Sequence, residues 1–228
     1  MMFVVNCFNG FMIIGCQNII RTSTVFLLLV SFSVTAQDWH LKKDEDGIKV
    51  YTASTENSDF KSVRADFDVR ATFSELILFL MDVNKIHEWV YANKSASLVK
   101  TYKANEFAFY AEVAAPWPCS NRDYVAHIVI TQPSQKLIII ESYSEPNLVP
   151  EKKGVVRVKK SSAHWEITAV GNGMLHIVYT VSFDPGGSVP AWLTNMFVTK
   201  GPLETFKELR NRVNLPEYKE AHFDFIND

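Results

Sequence analysis

The sequence predicts an α+β domain: a long antiparallel sheet covered by one amphipathic C-terminal helix. Three observations carry that reading. From Leu98 to Phe183 the chain passes through successive segments of strand composition with short connections, the pattern of antiparallel neighbours. A capped helical segment lies ahead of them, before Trp89. Beyond Phe183 the apolar residues change from alternation to helical spacing.

Taken in order, Gly47 to Tyr51 follows an Asp-Gly turn and alternates as a strand does, and Phe60 to Val69 alternates through Val63, Ala65, Phe67 and Val69. Thr72 stands three residues ahead of Glu75, the signature of a capping box, and Leu76 to Met81 supply the apolar residues of the helix that follows. Asp82 to Trp89 breaks away, with Trp89 as the anchor of the turn. Strand composition marks Leu98–Tyr102, Glu106–Val113, Asp123–Thr131, Lys136–Tyr143, Val155–Lys159, Ala163–Val170 and Met174–Phe183. Gly171-Asn172-Gly173 predicts a tight hairpin between the last two. Asp184 to Pro190 is turn chemistry leading into a helix, and Trp192, Met196, Leu203, Phe206 and Val213 form its apolar stripe. Gly201-Pro202 falls inside that run and predicts a kink. Periodicity leaves open whether a solid core or a hollow lies between helix and sheet.

The 228 residues suffice for one domain with a substantial core, and no repeat or linker divides them. Hydrophobic residues at 47% and charged residues at 21% give a globular balance. The net charge of −2 and basic runs no longer than Lys152-Lys153 and Lys159-Lys160 exclude a nucleic-acid partner.

Residues 1–36 hold no acidic side chain and one basic one, Arg21, ahead of the apolar run Val25–Val30 and the small residues up to Ala36. This reads as a secretory signal peptide, with residues 37–228 as the mature domain and a periplasmic or secreted location. The core of the signal is too short to span a bilayer, which takes about 20 residues. A start at Met12, a lipoprotein signal ending at Cys16 and an uncleaved anchor are the competing readings. Removing residues 1–36 leaves Cys119 alone, so no internal disulfide forms.

Three further segments carry a family resemblance. Pro116-Trp117-Pro118-Cys119-Ser120-Asn121-Arg122-Asp123-Tyr124, then Gly154-Val155-Val156-Arg157-Val158, then Asp184-Pro185-Gly186-Gly187-Ser188-Val189-Pro190-Ala191-Trp192-Leu193 occur in order, with Trp89 upstream. Together they resemble the START family, the lipid-transfer domains related to steroidogenic acute regulatory protein, over about Trp39 to Val213. The resemblance implies a helix-grip fold, a curved sheet wrapped around the C-terminal helix and enclosing one lipid. It also implies a charged pair inside the cavity, for which Glu112 and Arg157 are the candidates. Members that hold phosphocholine carry an Arg and an Asp flanking the tryptophan; Ile86 and Val90 stand at those positions here. A less polar ligand follows, a sterol-like, hopanoid or acyl lipid.

The expected cavity wall comprises Phe67, Trp89, Tyr110, Val125, Ile128, Ile138, Ile140, Val156, Ile177 and Tyr179 from the sheet side, and Trp192, Met196, Leu203 and Phe206 from the helix. Gly201-Pro202 and the loop containing Pro116 and Trp117 are the expected gate, and Arg122-Asp123 a charge pair closing that loop onto a strand. Chemistry-bearing motifs are sparse. None of the six histidines has metal-ligand spacing, and no nucleophile elbow, phosphate loop or dinucleotide fingerprint occurs. The expectation is therefore a monomeric lipid carrier with transient membrane contact, no metal and no cofactor. A cavity enzyme is the rival, needing Glu112 to converge with His176 or Tyr110; a ligand-sensing interaction module is the third reading.

Overall fold

The computed structural model describes residues 38–54, 61–187 and 189–228; the expected signal peptide lies outside them. Ten strands are present among the described residues: β1 His40–Glu45, β2 Ile48–Ser54, β3 Lys61–Arg70, β4 Asn93–Lys103, β5 Glu106–Val113, β6 Asn121–Ser134, β7 Leu137–Ser144, β8 Val155–Arg157, β9 Ser161–Gly171 and β10 Met174–Phe183. They form one sheet in the order β1-β2-β3-β10-β9-β7-β6-β5-β4. Every pairing along that path is antiparallel, while β8 adds to β6 in parallel. The α+β helix-grip class expected from the sequence is therefore the fold observed.

Helix α1 (Phe73–Met81) begins as the sequence signalled. The Thr72 side chain accepts from the Glu75 amide, and the Glu75 carboxylate accepts from the Thr72 amide. A 3₁₀ turn at Val83–Lys85 and the short helix α2 (Ile86–Trp89) follow, with Trp89 buried 4.9 Å from the Phe79 ring. Asn172 and Gly173, both at positive φ, make the tight β9–β10 hairpin.

Two elements escaped the sequence reading. Strand β1, His-Leu-Lys-Lys-Asp-Glu, is exposed at every position, so no apolar alternation marks it. The chain beyond Val213 packs as well: Tyr218 and Ile226 are buried, the Tyr218 ring meets Phe79 edge-on at 5.1 Å, and Asp228 accepts from the Ser74 amide.

The C-terminal helix is built in three pieces: α3 (Ala191–Asn195), a π-helical turn (Met196–Lys200) and α4 (Gly201–Arg212). Pro202 has no N–H to return to a carbonyl one turn back, and the wider turn accommodates that loss. The turn also inserts extra residue phase, so a stripe read at constant 3.6 spacing goes out of register on either side of it. Leu203, Phe206 and Val213 of the expected stripe are buried against the core, whereas Trp192, ahead of the turn, is 47% exposed.

Between sheet and helix the inner face is solid at one end. Ile48, Phe67, Ile138, Ile167 and Ile177 are completely or almost completely buried there with Leu209 and Val213 of the C-terminal segment. Phe206 marks the limit of this packing, its ring 4.5 Å from Phe67, 5.3 Å from Tyr179 and 5.8 Å from Trp165.

Candidate functional site

Past Phe206 the inner face opens into a cavity of about 350 Å³. Strand alternation decides which residues reach it. Val63 of β3, Phe107, Phe109 and Val113 of β5, Arg122, Tyr124, Ala126, Ile128 and Ile130 of β6, and Ile140 and Ser142 of β7 line it. Ala163 and Trp165 of β9 and Tyr179, Val181 and Phe183 of β10 complete the sheet wall. Ile86, Trp89 and Val90 close one side; Phe197, Gly201, Pro202, Thr205 and Phe206 form the helical cover. Gly201 packs beside the Tyr91 ring and the Met196 carbonyl at ordinary contact distance. Thr205 in turn accepts from the Tyr91 amide.

The wall is overwhelmingly hydrocarbon and aromatic. Its hydroxyl-bearing residues are Tyr91, Tyr124, Tyr179, Ser142, Ser161, Ser162 and Thr205. Burial pushes the Tyr124 hydroxyl up to about 12 and Tyr179 higher still, so both phenols remain neutral donors. Arg122 supplies the cationic side chain of the wall, 9% exposed.

The residues expected from the sequence separate into distinct places. Trp89, Ile128, Ile140, Tyr179, Phe206, Arg122, Gly201 and Pro202 line the hollow. Phe67, Ile138 and Ile177 share the inner face but lie in its solid end. Trp192, Met196 and Leu203 border a separate groove beside Lys43 and Glu45 of β1, and Leu203 is at the same time buried in the core. Val156 packs outside the hollow toward Gly186, while Val158 takes the wall position. Pro116 and Trp117 lie in the loop between β5 and β6, and Trp117 is 91% exposed.

Tyr110, Glu112, Val125 and Arg157 correct the expectation. Their neighbours of opposite parity line the cavity, so these four belong to the outer face. Glu112 accepts from Asn121 at 2.8 Å and Lys94 at 3.0 Å and lies 3.4 Å from Lys152, which hold its carboxyl down to about 2. Arg157 pairs with Asp123, Nε to Oδ1 at 2.7 Å and Nη2 to Oδ2 at 3.0 Å, with both side chains 1% exposed. The carbonyls of Pro146, Val149 and Pro150 accept its remaining hydrogens, so the loop after β7 is clamped over the pair. Asp123 thus pairs with Arg157, and Arg122 turns the other way.

The convergence that a cavity enzyme would need does not form among these groups. His176 bonds Asp68 at 2.7 Å on the outer face, far in register from Glu112 and Tyr110. Among the described residues no cluster of His, Cys, Asp or Glu is arranged to hold a metal ion.

A sheet gripping a helix around an apolar hollow is a recognisable arrangement, and the START domain model matches residues 24–219. The chain belongs to the START domain family. This START domain is 35% identical over 182 residues to an uncharacterized protein of Pseudomonas aeruginosa, covering 80% of this chain and 90% of that one. It is 27% identical over 184 residues to the phosphatidylcholine transfer protein of Mus musculus, covering 78% and 84%. The STAR-related lipid transfer protein of Xanthomonas axonopodis superposes with a TM-score of 0.70 at 31% identity, covering 77% of this START domain and 98% of that chain. Human STARD10 shares the fold, with a TM-score of 0.68 at 22% identity over 79% and 75% of the two chains.

Proposed function

We propose that this START domain sequesters one largely apolar lipid in the cavity beyond Phe206 and carries it between membranes without chemical change. The observation behind this reading is the hollow itself, walled by apolar side chains where a core of this size would ordinarily be filled. Its volume of about 350 Å³ falls at the lower end of the range for small-molecule pockets, about 300–1,000 Å³. Each buried methylene gains about 0.8 kcal/mol, so ten contribute about 8 kcal/mol, ample for micromolar binding after ordering costs.

The names of the relatives support transfer as the role. Ile86 and Val90 line the wall without charge, which disfavours a zwitterionic choline head and favours a sterol-like, hopanoid or acyl ligand. Trp117, exposed at a loop tip beside the start of β6, is suited to a transient contact with a membrane surface. The reading includes export by residues 1–36; N-terminal sequencing of the protein from the periplasmic fraction tests it.

The decisive experiment is purification from a lipid-rich host followed by mass spectrometry of whatever accompanies the protein. One lipid at near one-to-one stoichiometry is expected. A soluble polar metabolite in its place would replace transport with catalysis.

A further inference from the structure

We infer that the cavity takes a lipid with an anionic head, a carboxylate or a phosphate held by Arg122. This rests on the reading of the hollow as a lipid site and narrows the class of ligand.

Arg122 opens the cavity side of β6 beside Val113, in register with it, at the end of the sheet where the loop from β5 returns. The side chain is 9% exposed and lines an apolar wall. Its one side-chain hydrogen bond among the described residues runs from Nη1 to the Ser120 carbonyl at 2.6 Å. No carboxylate among the described residues lies within 4.0 Å of it. The two nearest in sequence are committed elsewhere, Asp123 to Arg157 and Glu112 to Asn121, Lys94 and Lys152.

A guanidinium is always charged and offers five donors in a planar fork that matches two oxygens of a carboxylate or phosphate. Buried charge of this kind is tolerated when something neutralises it. Among the described residues nothing neutralises Arg122, so an anionic group on the ligand is the counter-charge that fits this position. Tyr124, two residues along the same face and protonated, adds a neutral donor next to the fork. With the head at Arg122, the chain runs toward the aromatic floor at Trp165, Tyr179 and Phe206. The small volume suits one acyl chain better than two. An uncharged sterol or hopanoid would leave the guanidinium unsatisfied.

The test compares three ligands that share one chain, measured by equilibrium binding to the delipidated full chain: oleate, 1-oleoyl lysophosphatidate and oleyl alcohol. At least one anionic ligand is expected to bind about tenfold or more tightly than the alcohol, and which one it is separates carboxylate from phosphate. Arg122→Gln should bring the ratio close to one, and Arg122→Lys should keep part of it. Equal binding of all three by the unaltered protein, a comparison that needs no variant, overturns the inference. So does an undiminished preference in Arg122→Gln. Binding of the alcohol at the same strength as the anions would leave the lipid cavity standing and remove only the anionic head; failure of all three to bind would remove both.

Discussion

Arg122 and Asp123 are neighbours in the chain that serve opposite faces of one strand. Arg122 lines the cavity, while Asp123 grips Arg157 on the outer face at 2.7 Å. The strand therefore couples a cavity-facing charge to a fixed anchor: Arg157 ties β6 to β8 and to the carbonyls of the loop after β7. Removing Asp123 strands a buried guanidinium. Asp123→Ala should destabilise the protein by about 3–5 kcal/mol, read as a lower urea midpoint at unchanged slope. The double variant Asp123→Leu with Arg157→Met, which removes both charges, should recover much of that loss. Equal destabilisation by the two variants would mean that the pair acts through something other than uncompensated charge.

Glu112 makes stability depend on acid. Hydrogen bonds from Asn121 and Lys94 lower its carboxyl from 4.5 to about 2. A depressed carboxylate contributes stability that is fully present above its unfolded value and is lost as pH falls through the folded one. The affected window thus runs from about 4.5 down to about 2. Glu112→Gln should flatten the pH dependence of unfolding within that window and leave it unaltered near neutrality. A parallel pair of curves over the window would refute the assignment.

How much of this was legible beforehand depended on what kind of signal each feature leaves. The capping box at Thr72 and Glu75, the Gly171–Gly173 hairpin and the β10 alternation are local patterns, and each sequence reading located them correctly. Face assignment on β5 and β6 was also available, because Phe107, Phe109 and Val113 against Tyr110 and Glu112 fix the parity of β5. Glu112 was nonetheless expected inside because apolar residues surround it in sequence, and that composition hides the lysines that approach from β4 and the loop before β8. Arg122 shows the converse: its cavity position follows from parity, but its lack of an acidic partner is a three-dimensional fact. The division of the inner face into a solid and a hollow end left no sequence trace, since Ile138 and Ile140 are alike in type and parity. The π turn was equally silent beyond Gly201-Pro202, and Trp192, Met196 and Leu203 border a separate groove in place of the predicted wall.

That division of the inner face gives a paired test. Ile167 is fully buried in the solid end, so Ile167→Ala should cost about 2–5 kcal/mol while lipid stoichiometry is retained. Ala163 lies four residues away on the same face of β9 but borders the hollow. Ala163→Phe should lower the amount of lipid recovered per protein without a comparable loss of stability, because its ring enters space that is already open. Loss of stability with full lipid loading in Ala163→Phe would show that no usable volume lies beside that residue.

If a lipid is admitted past the helical cover, the helix carries its weak point at the cavity. Phe197, Gly201 and Pro202 line the hollow where the π turn meets α4. A π turn is less favourable than the α geometry it replaces, and Pro202 is what withholds the α hydrogen bond there. Pro202→Ala restores the donor and should regularise the segment, raising the barrier to opening. If about 1 kcal/mol of the gain appears in that barrier, exchange of a fluorescent lipid between vesicles slows about fivefold. Equilibrium affinity for the same lipid should change far less than the rate, because the wall atoms contributed at this position are few. A transfer rate identical to that of the unaltered protein would take the C-terminal helix out of the gate and leave the Pro116–Asn121 loop as the moving part.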